Sequence, residues 1–166
     1  MKAPGAKLQP PEKHQIPGVK IFNRQQTKKI STRLLRQIIA SLCMELKIEN
    51  TELGINLVGA KEMAELNWKF LQHKGSTDVI TFDYAALKRR KKKCLHGELF
   101  VCVDEAISQS TEFKTTWQSE IVRYIVHGIL HLLGHDDSCA EARRKMKREE
   151  NRRLRELSRR FALSKL

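Results

Sequence analysis

The spacing of apolar residues along this chain changes between two periods, and each period predicts one kind of element. Apolar side chains that recur every three or four residues indicate an amphipathic helix. This spacing is strongest where Ile30, Leu34, Ile38 and Leu42 follow one another. It predicts helices over residues 27–46, 61–71, 117–133 and 140–157, and a further helix is expected to begin near Asp104, the residue type that favours an N-cap.

Shorter apolar segments, which alternate or are rich in β-branched and aromatic residues, predict strands between these helices. The predicted strands cover residues 19–23, 54–59, 79–82 and 98–103. Strands that alternate with helices favour an α/β or α+β fold, in which helices cover a sheet. The sequence contains no internal repeat.

Length and composition predict one globular domain. The chain has 166 residues, 40% of them hydrophobic, which is enough to bury a core without cross-links. All four prolines lie in the first seventeen residues, so we expect a flexible tail over residues 1–17 and one domain over residues 18–166. The sequence has no apolar run of membrane-spanning length and no apolar signal segment, so we expect a cytoplasmic protein without a membrane partner. The four cysteines form no C-x-x-C pair, which is typical of reduced thiols.

The net charge of +13 is concentrated in two segments. Residues 88–93 are all Lys or Arg, and residues 138–166 carry eleven Lys or Arg against four Glu. A field of this sign attracts polyanions, so nucleic acid is the first partner to consider and an anionic membrane surface the second. The simpler interpretation, a solvated loop and a solvated helix face, requires no partner.

Three of the six histidines lie within nine residues, at positions 127, 131 and 135. His127 and His131 are four residues apart on the predicted helix, so both rings can reach one metal ion. Gly134 is expected to end the helix and to let the chain turn back. Asp137 then follows in the spacing H-x-x-x-H-x-x-G-x-x-D, and a carboxylate oxygen is an acceptable zinc ligand. His135 is the alternative third ligand.

We therefore predict a metal site formed by His127, His131 and Asp137, which hold one Zn²⁺. Three protein ligands leave a position for water, whose pKa zinc lowers towards ~7, so hydrolysis is the expected chemistry. Asp136 is expected to orient a ligand or to cap the next helix. The simpler alternative is that the histidines are satisfied core residues of an apolar helix. Metalloproteases have a glutamate after the first histidine, whereas this chain has Gly128, which cannot accept a proton.

Three blocks of sequence resemble a known family. They are residues 76–82 (Ser-Thr-Asp-Val-Ile-Thr-Phe), residues 97–104 (Gly-Glu-Leu-Phe-Val-Cys-Val-Asp) and residues 127–134 (His-Gly-Ile-Leu-His-Leu-Leu-Gly). In this order they resemble the YbeY family of endoribonucleases. The resemblance implies an α+β, zincin-like fold, with a small mixed sheet flanked by helices and a metal site on a long helix and the turn after it. It also implies a zinc-dependent, single-strand-specific endoribonuclease that acts in rRNA maturation and ribosome quality control.

The chain departs from the family pattern at two places. The family's histidine block usually ends in Gly-Tyr-Asp-His, whereas this chain has Gly-His-Asp-Asp at residues 134–137. The third ligand is therefore carried over as a substitution by Asp137. The family also tends to have an arginine before the first block, and none is present at residues 70–74. Lys69, His73 or Lys74 would then have to bind phosphate, or the two basic segments would supply the affinity.

The general base is not defined by a motif. Glu98 is one candidate because it begins a predicted strand, and Asp78 is a second candidate. Residues 88–93 and 143–160 are expected to bind the RNA backbone, of the ribosome or of ribosomal RNA, without reading sequence, and we expect no specificity for DNA. Two rival functions stay open: a non-catalytic RNA-binding ribosome-assembly factor with a structural metal, and a zincin-like metallopeptidase.

Overall fold

A four-stranded mixed sheet organises the fold. The computed structural model describes residues 18–85 and 93–166, so the predicted tail over residues 1–17 and all but Lys93 of the basic segment 88–93 lie outside the described residues. The strands are β1 (Val19–Asn23), β2 (Asn50–Val58), β3 (Val79–Asp83) and β4 (Cys94–Cys102). Their order in the sheet is β1-β2-β4-β3. The pairs β1–β2 and β2–β4 are parallel, whereas β3 and β4 are antiparallel. The predicted α+β class with a small mixed sheet is confirmed.

Two strands begin earlier than the sequence predicts. Strand β2 starts at Asn50 instead of residue 54, and β4 starts at Cys94 instead of residue 98. The two added segments pair with each other, from Asn50 opposite Cys94 to Leu53 opposite Gly97. Their backbone groups satisfy one another in the parallel ladder, so the polar side chains do not prevent strand formation.

Five α-helices and one short 3₁₀ helix complete the described part of the chain. They are α1 (Thr32–Glu45), α2 (Ala60–Leu71), α3 (Val103–Glu112), α4 (Trp117–Leu132), α5 (Ala140–Arg160) and the 3₁₀ helix Leu163–Lys165. Helix α1 begins later than residue 27 because Ser31 caps it and accepts a hydrogen bond from the Leu34 backbone N–H. The Gln25 side chain binds the backbone of Thr27 and Lys28 and holds that segment outside the helix.

The predicted N-cap role of Asp104 is wrong. Cys102 is the N-cap of α3, and Asp104 lies in the first turn of that helix. The carboxylate of Asp104 instead accepts hydrogen bonds from the Ala60 backbone N–H at 2.6 Å and from the Thr27 hydroxyl at 2.9 Å. It therefore joins the start of α2 and the loop before α1 to α3.

Alternation along the strands divides the apolar residues between two cores. Odd-numbered residues of β2 and β4 face the larger core, which helices α1, α3, α4 and α5 complete. Even-numbered residues such as Phe100 and Cys102 face the smaller core beneath α2. Among the described helices none is both long enough and apolar enough to cross a membrane.

Helix α4 approaches the sheet closely at two glycines. A methyl group at Gly128 would lie 2.6 Å from Leu99 Cδ2 and 3.1 Å from Thr81 Oγ1. A methyl group at Gly97 would lie 2.3 Å from the Phe82 carbonyl oxygen and 2.8 Å from Leu132 Cδ2. Both glycines let the helix rest on β3 and β4, and this contact fixes the position of the two histidines on α4.

Candidate metal centre

The end of α4 turns the chain back towards the histidines. Gly134 has φ +93°, a conformation that glycine adopts without steric cost. The Gly134 N–H donates to the His131 carbonyl at 2.9 Å, and the His135 N–H donates to the Leu130 carbonyl at 3.0 Å. This pair of bonds is the Schellman motif. The prediction that Gly134 ends the helix is confirmed, and the turn brings residue 137 back beside the helix.

Three side-chain atoms converge beside this turn. His127 Nε2 and His131 Nε2 lie 2.9 Å apart. Asp137 Oδ2 lies 3.8 Å from the first nitrogen and 3.5 Å from the second. All three side chains are partly exposed, so the group remains accessible from solvent. The structure thus brings together the three residues that the sequence predicts as ligands.

The opposite edges of both rings are held by acceptors. His127 Nδ1 lies 2.5 Å from Glu150 Oε1, and His131 Nδ1 lies 3.1 Å from the carbonyl oxygen of His135. A neutral imidazole has one N–H, which belongs on the nitrogen that faces an acceptor. We therefore assign the proton of each neutral ring to Nδ1. Each Nε2 then presents a lone pair, the form that binds a metal ion.

The geometry of these donors suits a small divalent cation. A point about 2.0 Å from all three atoms exists at the centre of the triangle that they form, and zinc–nitrogen and zinc–oxygen bonds have this length. Two lone pairs and a carboxylate oxygen repel one another at such separations unless positive charge lies between them. Two imidazoles and one carboxylate are also a known ligand set of catalytic zinc. The residues present therefore fit the expected metal.

The electrostatics of His127 show the same attraction for positive charge. Burial lowers the pKa of this histidine, but the hydrogen bond and charge of Glu150, together with the charges of Asp78 and Asp137, outweigh burial and raise it. The carboxylates around the ring thus favour a cation at this place.

The two residues before Asp137 have different roles. Asp136 Oδ1 accepts hydrogen bonds from the backbone N–H groups of Asp137 at 2.8 Å and Ser138 at 3.1 Å, and its other oxygen contacts the Ser138 hydroxyl. Hydrogen bonds from Ser138 and Asp137 hold the pKa of Asp136 below its usual value. Asp136 therefore fixes the backbone that carries Asp137, while Cys139 caps α5. The ring of His135 is outside the cluster, so the geometry favours Asp137 over His135.

A cleft of about 490 Å³ opens beside the cluster. Its walls come from α3, α4, α5 and the residue before β3, and Asp78, His127 and Asp137 lie at one end. Arg143 and Lys147, one turn apart on α5, contribute positive charge to the wall. In residues 18–85 and 93–166 neither of these two side chains has an ion-pair partner, so both are available to an anion.

The two candidate bases lie in different places. Glu98 is an even-numbered residue of β4, so it points away from α4. On that opposite face of the sheet, the Tyr84 hydroxyl donates to it at 2.8 Å. This placement does not favour Glu98 as a base for the cluster. Asp78 lines the cleft with His127. Its Oδ1 accepts from the Val79 N–H at 2.8 Å and the Thr77 hydroxyl at 3.0 Å, while Oδ2 has no such partner within the described residues.

Sequence reasoning missed two residues of this site. Glu150 lies 23 residues after His127, beyond the reach of any local spacing. Its one signal is an acid on the apolar face of α5, where Met146 precedes it by one turn and Leu154 follows by one turn. Arg123 is the other. It lies one turn before His127, and its guanidinium donates to Asn151 Oδ1 at 2.7 Å and lies 3.9 Å from Glu150 Oε2.

Comparisons with known proteins point to one family. The model of one family, described as endoribonuclease YbeY, matches residues 20–158. A protein named endoribonuclease YbeY from Chlorobium phaeovibrioides is 36% identical over 97 residues. These residues are 58% of this chain and 62% of that protein, which is less than two thirds of its length. A protein of the same name from Bacteroides thetaiotaomicron is 32% identical over 141 residues, 85% of this chain and 95% of that protein. A solution structure from Thermotoga maritima is similar with a TM-score of 0.61 and 25% identity, over 84% of this chain and 88% of that chain.

Proposed function

Because the chain belongs to the endoribonuclease YbeY family, we propose that it is a zinc-dependent endoribonuclease specific for single-stranded RNA. The observation that carries this proposal is the convergence of His127 Nε2, His131 Nε2 and Asp137 Oδ2, with separations from 2.9 to 3.8 Å, at one end of a cleft with a basic wall. We further propose that the substrate is ribosomal RNA, in its maturation and quality control, and that the protein acts in the cytoplasm.

His127, His131 and Asp137 would hold the ion. When bound, it supplies a Lewis acid that polarises a phosphodiester and makes a water acidic enough to react near neutral pH. Glu150 holds the His127 ring by its Nδ1 at 2.5 Å, and the backbone of His135 holds the His131 ring at 3.1 Å. Both contacts keep Nε2 aimed into the cluster, so the protein pre-organises its donors.

The remaining roles are assigned to side chains of the cleft. Arg143 and Lys147 bind the RNA phosphate on the α5 wall, because their charges have no partner among the described residues. Asp78 accepts a proton from the attacking water through Oδ2, the oxygen that no described residue binds. The electrostatic contacts involve phosphate and not base edges, so they do not read sequence.

A metallopeptidase is disfavoured by the packing of α4. A peptidase of this motif type needs a glutamate after the first histidine. Here that position is Gly128, where even a methyl group would lie 2.6 Å from Leu99 Cδ2. A glutamate at this position would therefore force the buried Leu99 side chain to move.

Cleavage of labelled single-stranded RNA, double-stranded RNA and casein tests the proposal. We expect the zinc-loaded protein to cleave single-stranded RNA alone, and the His131→Ala variant and the metal-stripped protein to lose this activity. His135→Ala is the matched control, because the structure uses the backbone carbonyl of this exposed residue and not its ring. RNA binding without turnover, whichever metal is added, would instead support an assembly factor, and cleavage of casein a peptidase. Elemental analysis of protein purified without added metal identifies the ion, and crosslinking in cells identifies the RNA.

A further inference from the structure

The end of the cleft distant from the cluster exposes an aromatic ring. Phe113 follows α3 directly and is 60% exposed, the largest fraction among the exposed large hydrophobic side chains of the described residues. It also lines the cleft. The ring contributes little to the core, because most of its surface remains in water. An aromatic face left open inside a cleft is suited to stack on a flat ligand.

Two carboxamides also line the cleft. Gln109 lies one turn before Phe113 on α3, and its side chain has no hydrogen-bond partner within the described residues. Asn151 of α5 accepts from Arg123 through Oδ1, at 2.7 Å, and keeps its N–H₂ donors for a ligand. A carboxamide has both donors and an acceptor, which is the chemistry that recognises the edge of a nucleobase.

The only carboxylate on α4 at this end of the cleft is already engaged. Glu120 is 3% exposed and accepts from the Thr115 hydroxyl at 2.7 Å, and its other oxygen lies 3.5 Å from Arg123 Nε. Arg123 also lines the cleft here, but it is paired with Glu120 and bound to Asn151, so its charge is balanced. This end therefore offers a ring and carboxamides, whereas the other end carries the cluster and the cations of α5 that are unpaired among the described residues. The chemistry of the first end suits a nucleobase, and that of the second end suits a phosphate.

The spacing of the two ends also suits a nucleotide. Glu120 and His127 are seven residues apart on α4, which corresponds to about 10 Å along the helix. The cleft volume of about 490 Å³ lies within the range of small-ligand sites. A base at Phe113 and a phosphate near Arg143 can thus occupy the cleft together.

We propose that Phe113, Gln109 and Asn151 form a nucleobase subsite, which binds an unpaired base of the RNA next to the phosphate held by Arg143 and Lys147. This subsite rests on the proposed function, because it requires RNA as the ligand. It also gives a physical reason for single-strand specificity: a base stacked on Phe113 is not available to a complementary strand.

Fluorescence anisotropy of a labelled uridine or adenosine oligonucleotide on metal-free protein tests the subsite without cleavage. Stacking on one aromatic ring predicts that Phe113→Ala weakens binding about 5- to 150-fold, whereas Phe113→Trp retains it. Phe22→Ala is the matched control, because Phe22 is 46% exposed on β1 and does not line the cleft. Inorganic polyphosphate is the second probe. It carries no base, so Phe113→Ala should leave its binding unchanged.

The outcomes separate the subsite from the function. Wild type that binds and cleaves RNA, together with unchanged affinity in Phe113→Ala, overturns the subsite and leaves the endoribonuclease proposal intact. An equal loss of RNA and polyphosphate binding in Phe113→Ala also overturns it, since the ring would then act on the phosphate. Wild type that neither binds nor cleaves RNA overturns both proposals. Weaker binding of an unstructured peptide, with RNA binding unchanged, assigns the ring to a protein ligand and overturns the subsite.

Gln109→Ala should reduce discrimination between the two oligonucleotides by about tenfold, and equal discrimination in wild type and variant would remove Gln109 from the subsite.

Discussion

Replacement of Glu150 by glutamine changes the metal site without changing its three donors. Glu150 is 9% exposed, and its Oε1 lies 2.5 Å from His127 Nδ1. Glutamine keeps an oxygen that can accept the ring N–H but removes the negative charge. We expect Glu150→Gln to bind zinc more weakly because His127 becomes a poorer donor and the centre loses a nearby anion.

The expected loss is tenfold to a hundredfold. Glu150 Oε1 lies roughly 6 Å from the point where the donor atoms converge, so its attraction for a divalent ion is about 1 kcal/mol at the dielectric constant of water and about 5 kcal/mol at 20. Arg123 Nη1 lies 3.9 Å from Glu150 Oε2 and offsets part of this attraction. The attraction that remains corresponds to the usual cost of losing the hydrogen-bond partner of a metal-binding histidine, about 1.4 to 2.8 kcal/mol. Glu150→Ala, which also frees the ring, should be at the upper end.

Competition with a chromophoric chelator measures this loss as a change in zinc affinity. The pKa of His127 in the metal-free protein gives a second readout, from NMR titration. Since Glu150 raises this pKa against burial, which lowers it, the pKa should fall in Glu150→Gln. Glu149→Gln is the matched control. It removes the same charge one residue earlier, but Glu149 binds Arg152 at 2.7 Å and Arg153 at 2.8 Å instead of a histidine.

Two results would refute this reasoning. Unchanged zinc affinity in both Glu150 variants would mean that the carboxylate does not prepare His127 for a metal. An equal loss in Glu149→Gln would mean that the net charge of the protein, and not the carboxylate held against His127, determines the affinity.

Three further predictions concern packing, the turn after α4 and the thiols. Gly128→Ala should lower the free energy of unfolding, measured in urea, by up to about 2 kcal/mol. The contact at 2.6 Å with Leu99 Cδ2 costs about 1–3 kcal/mol, and the better helix propensity of alanine returns about 1 kcal/mol. Equal or higher stability would contradict the close approach of α4. Gly134→Ala forces a side chain to adopt φ +93°, so thermal unfolding should show a loss of about 1–2 kcal/mol, and an unchanged melting temperature would contradict this turn geometry. Burial raises the pKa of Cys43 to about 12, which reduces its thiolate fraction. A disulfide reagent near pH 8 should therefore label the exposed Cys139 before Cys43. Peptide mapping that finds both cysteines labelled at one rate would contradict the burial of Cys43.

Most of the fold could be predicted because its elements have clear periods. Each predicted helix and strand has its counterpart, and the errors lie at the ends. Residues 50–53 of β2 were missed since Asn50, Thr51 and Glu52 show no apolar alternation. They are held by pairing with β4, where His96 Nε2 also lies 3.2 Å from Glu52 Oε2. Pairing between distant segments leaves no period in either one.

The grouping of the three expected ligands could be predicted from sequence because all of them lie within eleven residues. One helical turn and one glycine turn are enough to bring His127, His131 and Asp137 together, and both are local structures with known geometry. Glu150 and Phe113 could not be found in this way, since α5 and α3 reach the cleft only through tertiary packing. Glu98 shows the same limit. The sequence showed that Glu98 lies in a family block. It did not show which face of the sheet α4 covers, and this decides whether Glu98 can reach the cluster.

Gly128 connects the packing of the protein with the choice of its base. The residue lets α4 rest on Thr81 of β3 and Leu99 of β4, and the same contact disfavours the glutamate that a peptidase has there. A base must therefore come from another element. One of the two strands against which α4 rests is β3, and the residue immediately before β3 is Asp78, which lines the cleft with His127. The close contact that disfavours a base on the helix thus also holds β3, and with it the preceding carboxylate of Asp78, beside the same cleft.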